Sequence, residues 1–181
     1  RADPDILMVG EIRDRETAEI AVQAALTGHL LLSTLHTNSA AAAMTRLLDM
    51  GVDDFLLTST LRLVLGQRLV RRLCVACRAR VPISPAVRAR WGLAPEAPHT
   101  WYEARGCVDC ANEGYRGRVA LTEALPMTDA IRAAVLRHAD AAEIERLAVA
   151  EGMRTLRQHG LECATVGLTS IEEVARVTSD A

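Results

Sequence analysis

Asp5-Ile6-Leu7-Met8-Val9-Gly10-Glu11-Ile12-Arg13-Asp14 is the stretch from which the fold can be read. Four consecutive apolar residues ended by a glycine predict a short strand buried on both faces, as in a parallel sheet. Asp14 is placed to cap a following helix, along which Thr17, Ile20, Ala21, Ala24 and Ala25 recur at helical spacing, and Gly28 stands where a helix ends. His29-Leu30-Leu31-Leu32-Ser33-Thr34-Leu35 predicts a second buried strand. Asn38 or Ser39 then opens a helix over 40–50, closed by Gly51, and a third helix is expected over 54–65. Strand and helix alternating through short connections is the α/β pattern.

Beyond residue 70 the texture changes. Residues 71–117 hold four cysteines, both tryptophans and little periodicity, so an irregular insert is expected there. Residues 118–125 read as an edge strand. Helices follow over 129–138, 141–151, 153–166 and 170–177, with Thr128 or Asp129 capping the first. Asp140 with Glu143, and Ser170 with Glu173, form capping boxes for two of the others. The expected organisation is three segments, 1–72, 73–118 and 119–181.

Composition narrows the function. Half of the 181 residues are apolar but only 3% are aromatic, so the core must be built from aliphatic side chains. A net charge of −2 argues against a nucleic-acid protein, whose phosphate partners select a basic surface. No apolar run is long enough to span a membrane. The polar start at Arg1 is not a signal peptide and lacks an initiator Met, so the chain is expected to be part of a longer protein.

Glu11 carries the first site. It ends an apolar strand at the sheet edge where open α/β folds bind ligands, and a carboxylate there can hold Mg²⁺, through water, beside phosphates. His29 and His36 bracket the second strand. Their odd separation puts them on opposite faces of a regular strand. His36 shares the sheet edge of Glu11 and is the stronger candidate.

Cys74-Val75-Ala76-Cys77 and Cys107-Val108-Asp109-Cys110 are two C-x-x-C pairs separated by 29 residues. Four thiolates suit tetrahedral Zn²⁺ in a closed, structural site. Arg71, Arg72 and Arg78 would offset the negative charge of such a centre. Cys163 stands alone in a predicted helix and reads as a small core residue. His99, His138 and His159 read as surface or structural positions without evident partners. Trp91 and Trp101 are expected to pack against the metal module.

The string from Arg1 to Asp14 closely resembles the signature of the type II secretion and type IV pilus ATPases and matches every position of that pattern. Thr27-Gly28-His29-Leu30-Leu31-Leu32-Ser33-Thr34-Leu35-His36-Thr37-Asn38 is similar to the histidine box of the same family. Gln67-Arg68-Leu69-Val70-Arg71-Arg72-Leu73-Cys74 and Gly114-Tyr115-Arg116-Gly117-Arg118 resemble the flanks of its tetracysteine element, which retraction-type pilus ATPases generally lack. Gly114 and Gly117 are expected in tight turns. Gly160-Leu161 and the run Gly167-Leu168-Thr169-Ser170-Ile171-Glu172-Glu173-Val174 resemble the family's ending. The likeness is weakest over 79–99.

The resemblance implies a fold and a set of roles. Residues 1–72 would be the C-terminal half of a RecA-like ATPase core, 73–118 an inserted zinc module, and 119–181 a helical subdomain. Glu11 would be the Walker B acid, with ATP and Mg²⁺ as its ligands. His36 would sense the γ-phosphate, His29 would play a lesser part, and Arg13 and Arg1 would lie on the nucleotide side. The protein would form a homo-hexamer at the cytoplasmic face of the inner membrane, attached through secretion-platform proteins. Glu143, Glu145, Arg146, Arg154 and Arg157 could serve subunit contacts or a solvated face. No G-x-x-x-x-G-K-[ST] loop occurs in the chain, so these residues alone are expected not to turn over ATP. A pilus-extension ATPase is the alternative within the family. A non-catalytic, zinc-stabilised interaction domain is the alternative outside it.

Overall fold

Ile6–Val9 (β1) and Leu30–Ser33 (β2) lie parallel, with Ile6 opposite Leu30 and Val9 opposite Ser33. They are joined by Arg15–Leu26 (α1), whose first turn is capped by the Asp14 carboxylate accepting the Thr17 N–H at 2.8 Å. Ser39, not Asn38, caps Ala40–Asp49 (α2). The computed structural model describes residues 4–94 and 100–178. Arg1 and His99, both considered above, lie outside that range.

The expectation that both strands are buried on both faces does not hold for the described residues. Ile6, Met8, Leu30 and Leu32 are each about half exposed or more. Helices cover one face only: Val9, Leu31 and Leu35 pack with Met44, Leu47 and Leu57, while the alternate residues face away.

Three further expectations are corrected. The third helix, Asp54–Thr60 (α3), stops short of 65, and Leu63–Leu73 (β3) begins instead. Leu61-Arg62-Leu63-Val64-Leu65 satisfies the helical and the strand period alike. Pairing with Tyr115–Pro126 (β6) decides the outcome, so 118–125 was only part of a longer strand. The insert is not irregular either. Ala79–Pro82 (β4) pairs antiparallel with Thr100–Glu103 (β5). Between them lies Pro85–Trp91 (α4), capped by Ser84 and ended by Gly92 in the left-handed region. Thr128 caps Asp129–Leu136 (α5), and Asp140 caps Ala141–Ala150 (α6). Leu156–Thr165 (α7) starts after a Thr155/Gln158 capping box, and Ile171–Thr178 (α8) ends the described chain. No described helix is long and apolar enough to cross a membrane.

The chain folds into two compact units whose boundaries differ from the sequential ones read above. Residues up to Gly66 join Ala124–Met153, and Gln67–Glu123 join the residues from Arg154 onward. The C-terminal helices therefore divide. Ile131, Ala134, Ile144 and Ala148 of α5 and α6 enter the core of Met44 and Leu57, whereas Leu156 and Cys163 of α7 pack with Val70 and Leu121.

Within the second unit α7 and α8 approach at Gly160. A Cβ there would collide with a Val174 methyl and come within 3.1 Å of Leu121 Cδ1. Replacing a helical glycine by alanine ordinarily stabilises, by up to about 1 kcal/mol. At this position overpacking reverses the sign, and Gly160→Ala is expected to destabilise by about 1–3 kcal/mol, measurable as a lowered denaturant midpoint.

Candidate functional site

Glu11 follows the end of β1, where the chain is stitched to the continuation of β2. The Ile12 N–H donates to the Thr34 carbonyl at 3.0 Å, and Thr34 Oγ1 donates to the Gly10 carbonyl at 2.7 Å. His36, two residues further on, is thereby carried to the carboxylate: His36 Nε2 lies 3.1 Å from Glu11 Oε1. Arg13 Nε donates to Glu11 Oε2 at 2.6 Å. The hydrogen bond from Arg13 is the main reason the Glu11 carboxyl is held below the usual carboxylate range, with the charges of Arg13 and His36 adding to it against some desolvation. The result is an ionised acid at the sheet edge, partly exposed and flanked by a guanidinium and an imidazole, a donor suited to a hydrated divalent cation.

His29 goes elsewhere. Its Nδ1 lies 3.0 Å from Thr27 Oγ1 and 3.1 Å from the Ala24 carbonyl, at the start of β2 and the end of α1. The two histidines thus occupy opposite ends of the strand. Both fall outside Leu30–Ser33, so strand parity does not set where either points. Asp14 is occupied as a helix cap. Thr34 was not singled out in the sequence. Its part in holding the Glu11 loop shows only once β1 and β2 are paired.

The four cysteines converge in the second unit. Their sulfurs all lie within 4.8 Å of one another. Cys74 and Cys107 are 3.9 Å apart, Cys77 and Cys110 3.8 Å, and Cys107 and Cys110 3.8 Å. A tetrahedral ion with Zn–S bonds of about 2.3 Å requires sulfur–sulfur edges of about 3.8 Å, so the thiols are already at metal-binding separations. Backbone N–H groups support the sulfurs. Cys110 Sγ accepts from Cys107 at 3.3 Å and from Gly114 at 3.2 Å. Burial is the strongest influence on both thiols of this pair and pushes each up. Cys107 rises to about 11. At Cys110 the hydrogen bonds outweigh burial, and the thiol comes down to about 7. Gly114 and Gly117 both adopt positive φ just after the second pair, at +77° and +78°.

The arginines near this centre have other partners than the thiols. Arg71 pairs with Glu173 at 2.8 Å and stacks over Tyr115. Arg78 bonds the Gly167 carbonyl and stacks over Tyr102. Trp101 is buried with Ile83 and Ile171, and Trp91 lies under the Arg157 guanidinium at 4.5 Å. His138 and His159 do have partners: His138 faces Asp54 at 3.1 Å, and His159 Nδ1 accepts the Thr122 N–H at 3.0 Å. Glu143 and Arg154 are engaged within the chain by Arg137 and Glu162.

Residues 1–176 match the family model described as "Type II/IV secretion system protein". The chain belongs to that family. The type II secretion system protein E of Xanthomonas campestris pv. campestris is 53% identical over 100% of the chain and 32% of its own length. The type IV pilus assembly ATPase PilB of Myxococcus xanthus is 49% identical over 99% of the chain and 32% of its own length. The chain thus spans about a third of these relatives. In structure it resembles the ATPase DotB of Legionella pneumophila, with a TM-score of 0.64 and 25% identity, over 99% of this chain and 40% of that one. The α/β fold with a helical C-terminal part thus resembles that of DotB, and the chain's second unit holds a tetracysteine cluster.

Proposed function

We propose that the whole protein is a motor ATPase of type II secretion, coupling ATP hydrolysis to the assembly of a pseudopilus. The observation that carries this reading is the ionised Glu11 carboxylate at the C-terminal edge of β1, 3.1 Å from His36 and 2.6 Å from Arg13. Glu11 would hold Mg²⁺ through water beside the nucleotide phosphates. The ion would offset negative charge on the phosphate oxygens as the terminal phosphoryl group is transferred to water. His36, with Nε2 3.1 Å from the same carboxylate, would register whether a terminal phosphate is present. Arg13 orients Glu11, and Arg1 would approach the phosphates in an assembled homo-hexamer. His29, at the far end of β2, would act on strand placement rather than on the nucleotide.

Cys74, Cys77, Cys107 and Cys110 would hold a structural Zn²⁺, a role supported by their thiol donor set and near-tetrahedral edges. The protein would work at the cytoplasmic face of the inner membrane, held there by secretion-platform proteins. Secretion is preferred to pilus extension on the run Gln67–Cys74, which resembles the secretion ATPases more; overall identity, 47–53% to type II secretion proteins E and 49% to PilB, does not separate the two.

Mg²⁺-dependent ATP turnover by the whole protein tests the reading. Phosphate release that is absent without added Mg²⁺ and appears when Mg²⁺ is supplied is expected. A pure, folded protein that neither binds nor hydrolyses ATP would overturn it, and a zinc-stabilised interaction domain would be the better account. The segment described here, which carries no phosphate-binding loop, is expected to be inactive by itself.

A further inference from the structure

We infer that residues 166–178 are a working part of the cysteine centre: they hold both C-x-x-C pairs in place, and their own docking depends on the metal. The inference rests on the reading that the four cysteines bind a metal ion.

The contacts fall on both sides of each pair. Just before Cys74, one edge of β3 is taken up by the C-terminal segment. Thr169 Oγ1 donates to the Arg71 carbonyl at 2.8 Å, the Arg71 N–H donates to Glu173 Oε2 at 2.9 Å, and the Leu73 N–H donates to the Leu168 carbonyl at 3.0 Å. Residues 71 and 73 direct these groups to the same strand edge, so the segment substitutes for a neighbouring strand. Just after Cys77, the Arg78 guanidinium bonds the Gly167 carbonyl and lies 4.8 Å over the Tyr102 ring. Gly167 is needed there: a Cβ would fall 2.7 Å from Arg78 Nη1 and from Tyr102 Cδ2.

The second pair is held in the same way. Gly114 ties the two pairs together, accepting the Cys74 N–H at 2.9 Å and donating to Cys110 Sγ at 3.2 Å. Its neighbour Tyr115 meets Ser170 Oγ through its hydroxyl at 2.8 Å and carries Arg71 on its ring at 4.1 Å. Ile171 of α8 packs with Ile83 and Trp101, which lie in the stretch between the two pairs.

Glu173 is the centre of this clasp. Its side chain is 2% exposed and engages Arg71 and Arg176, each at 2.8 Å. A buried carboxylate is tolerable only while its cations stay in register. Arg71, three residues from Cys74, keeps that register only while the first pair is closed. Four closely spaced thiols stay closed when a metal neutralises and bridges them. Metal binding and docking of α8 are therefore linked, and linkage between two equilibria is reciprocal. Glu173 and Arg78 are positioning residues, acting on the metal through the backbone that carries its ligands.

The test uses the protein loaded with Zn²⁺. Zinc affinity is measured by competition with a chromophoric chelator for the wild type, Glu173→Gln and Arg78→Gln. Amide exchange over 171–178 is followed in the wild type before and after chelation. Both variants are expected to lose about tenfold or more in zinc affinity, the loss usual when groups that orient metal ligands are removed. Chelation is expected to speed exchange over 171–178 while exchange in α2 and α6 is unchanged. Wild-type zinc affinity in both variants would overturn the inference. So would exchange over 171–178 that ignores metal removal, a measurement that needs no variant. If the wild type itself binds no zinc, the metal reading fails first and this inference with it, an outcome distinct from zinc bound with unaltered affinity.

Discussion

Cys110→Ser is expected to release the metal and to loosen the unit formed by residues 67–123 and those from 154 onward. Cys110 is the most engaged of the four sulfurs, accepting two backbone N–H groups and lying 3.8 Å from both Cys77 and Cys107. A serine hydroxyl stays protonated at neutral pH and is a hard donor, so it cannot take a thiolate's place. The loss in zinc affinity should exceed the tenfold to hundredfold seen when only an orienting partner is removed. Because binding free energy at a structural site is also folding free energy, the unit should weaken with it. The chain supplies its own reporter. Both tryptophans, Trp91 and Trp101, lie in this unit, and Trp101 is 3% exposed. Their emission should shift to the red in the variant, and likewise in the wild type after chelation. A variant that keeps one equivalent of zinc and the original emission would show that three thiols suffice.

Glu11→Gln should reduce Mg²⁺-dependent ATP turnover of the whole protein by roughly a hundredfold or more, the scale of loss when a preorganised electrostatic partner of the transition state is removed. Glutamine keeps the size and most of the hydrogen bonding. It removes the charge that a hydrated cation needs and that the Arg13 guanidinium now faces. His29→Ala is the matched control: with its ring against Thr27 and Ala24 at the other end of β2, it should leave turnover close to wild type. If Glu11→Gln turns over as fast as the wild type while remaining folded, Glu11 is a structural acid and the nucleotide reading loses its main support.

Local signals were the most legible part of the fold. Asp14, Ser39, Thr128 and Asp140 cap helices because a short side-chain oxygen meeting the N–H three residues on is a nearest-neighbour property. The cysteine cluster was legible because C-x-x-C spacing already brings two sulfurs together. What failed depended on distant partners. Residues 61–65 are ambiguous by period, and their strand exists because Tyr115–Pro126 lies alongside. The insert did carry signals that went unused, with Ser84-Pro85 at the start of α4 and Gly92 at its end. The division of the C-terminal helices was hidden, since each of α5 to α8 buries apolar residues and only the identity of the facing core separates them. The same holds for Glu173. In sequence it reads as the acid of a capping box with Ser170. In the structure Ser170 accepts the Glu173 N–H at 3.4 Å, while the carboxylate reaches across 102 positions to Arg71. At the candidate nucleotide site, sequence put Glu11 and His36 at one sheet edge, but the 2.6 Å bond from Arg13 and the Thr34 link are products of tertiary pairing.

The clasp around Glu173 has an unequal tolerance of acid and alkali. The chain has 21 arginines and no lysine, and both partners of Glu173 are guanidinium groups that stay protonated far into alkali, where an ammonium would already have discharged. Glu173 itself is pulled down to about 2: burial works against the charged form, and the hydrogen bonds from Arg176 and Arg71 outweigh it. A carboxylate depressed in this way contributes stability in full above its ordinary value of 4.5 and loses it as the pH falls towards 2. The last helix is thus fastened by a buckle with no alkaline release, and acid opens it.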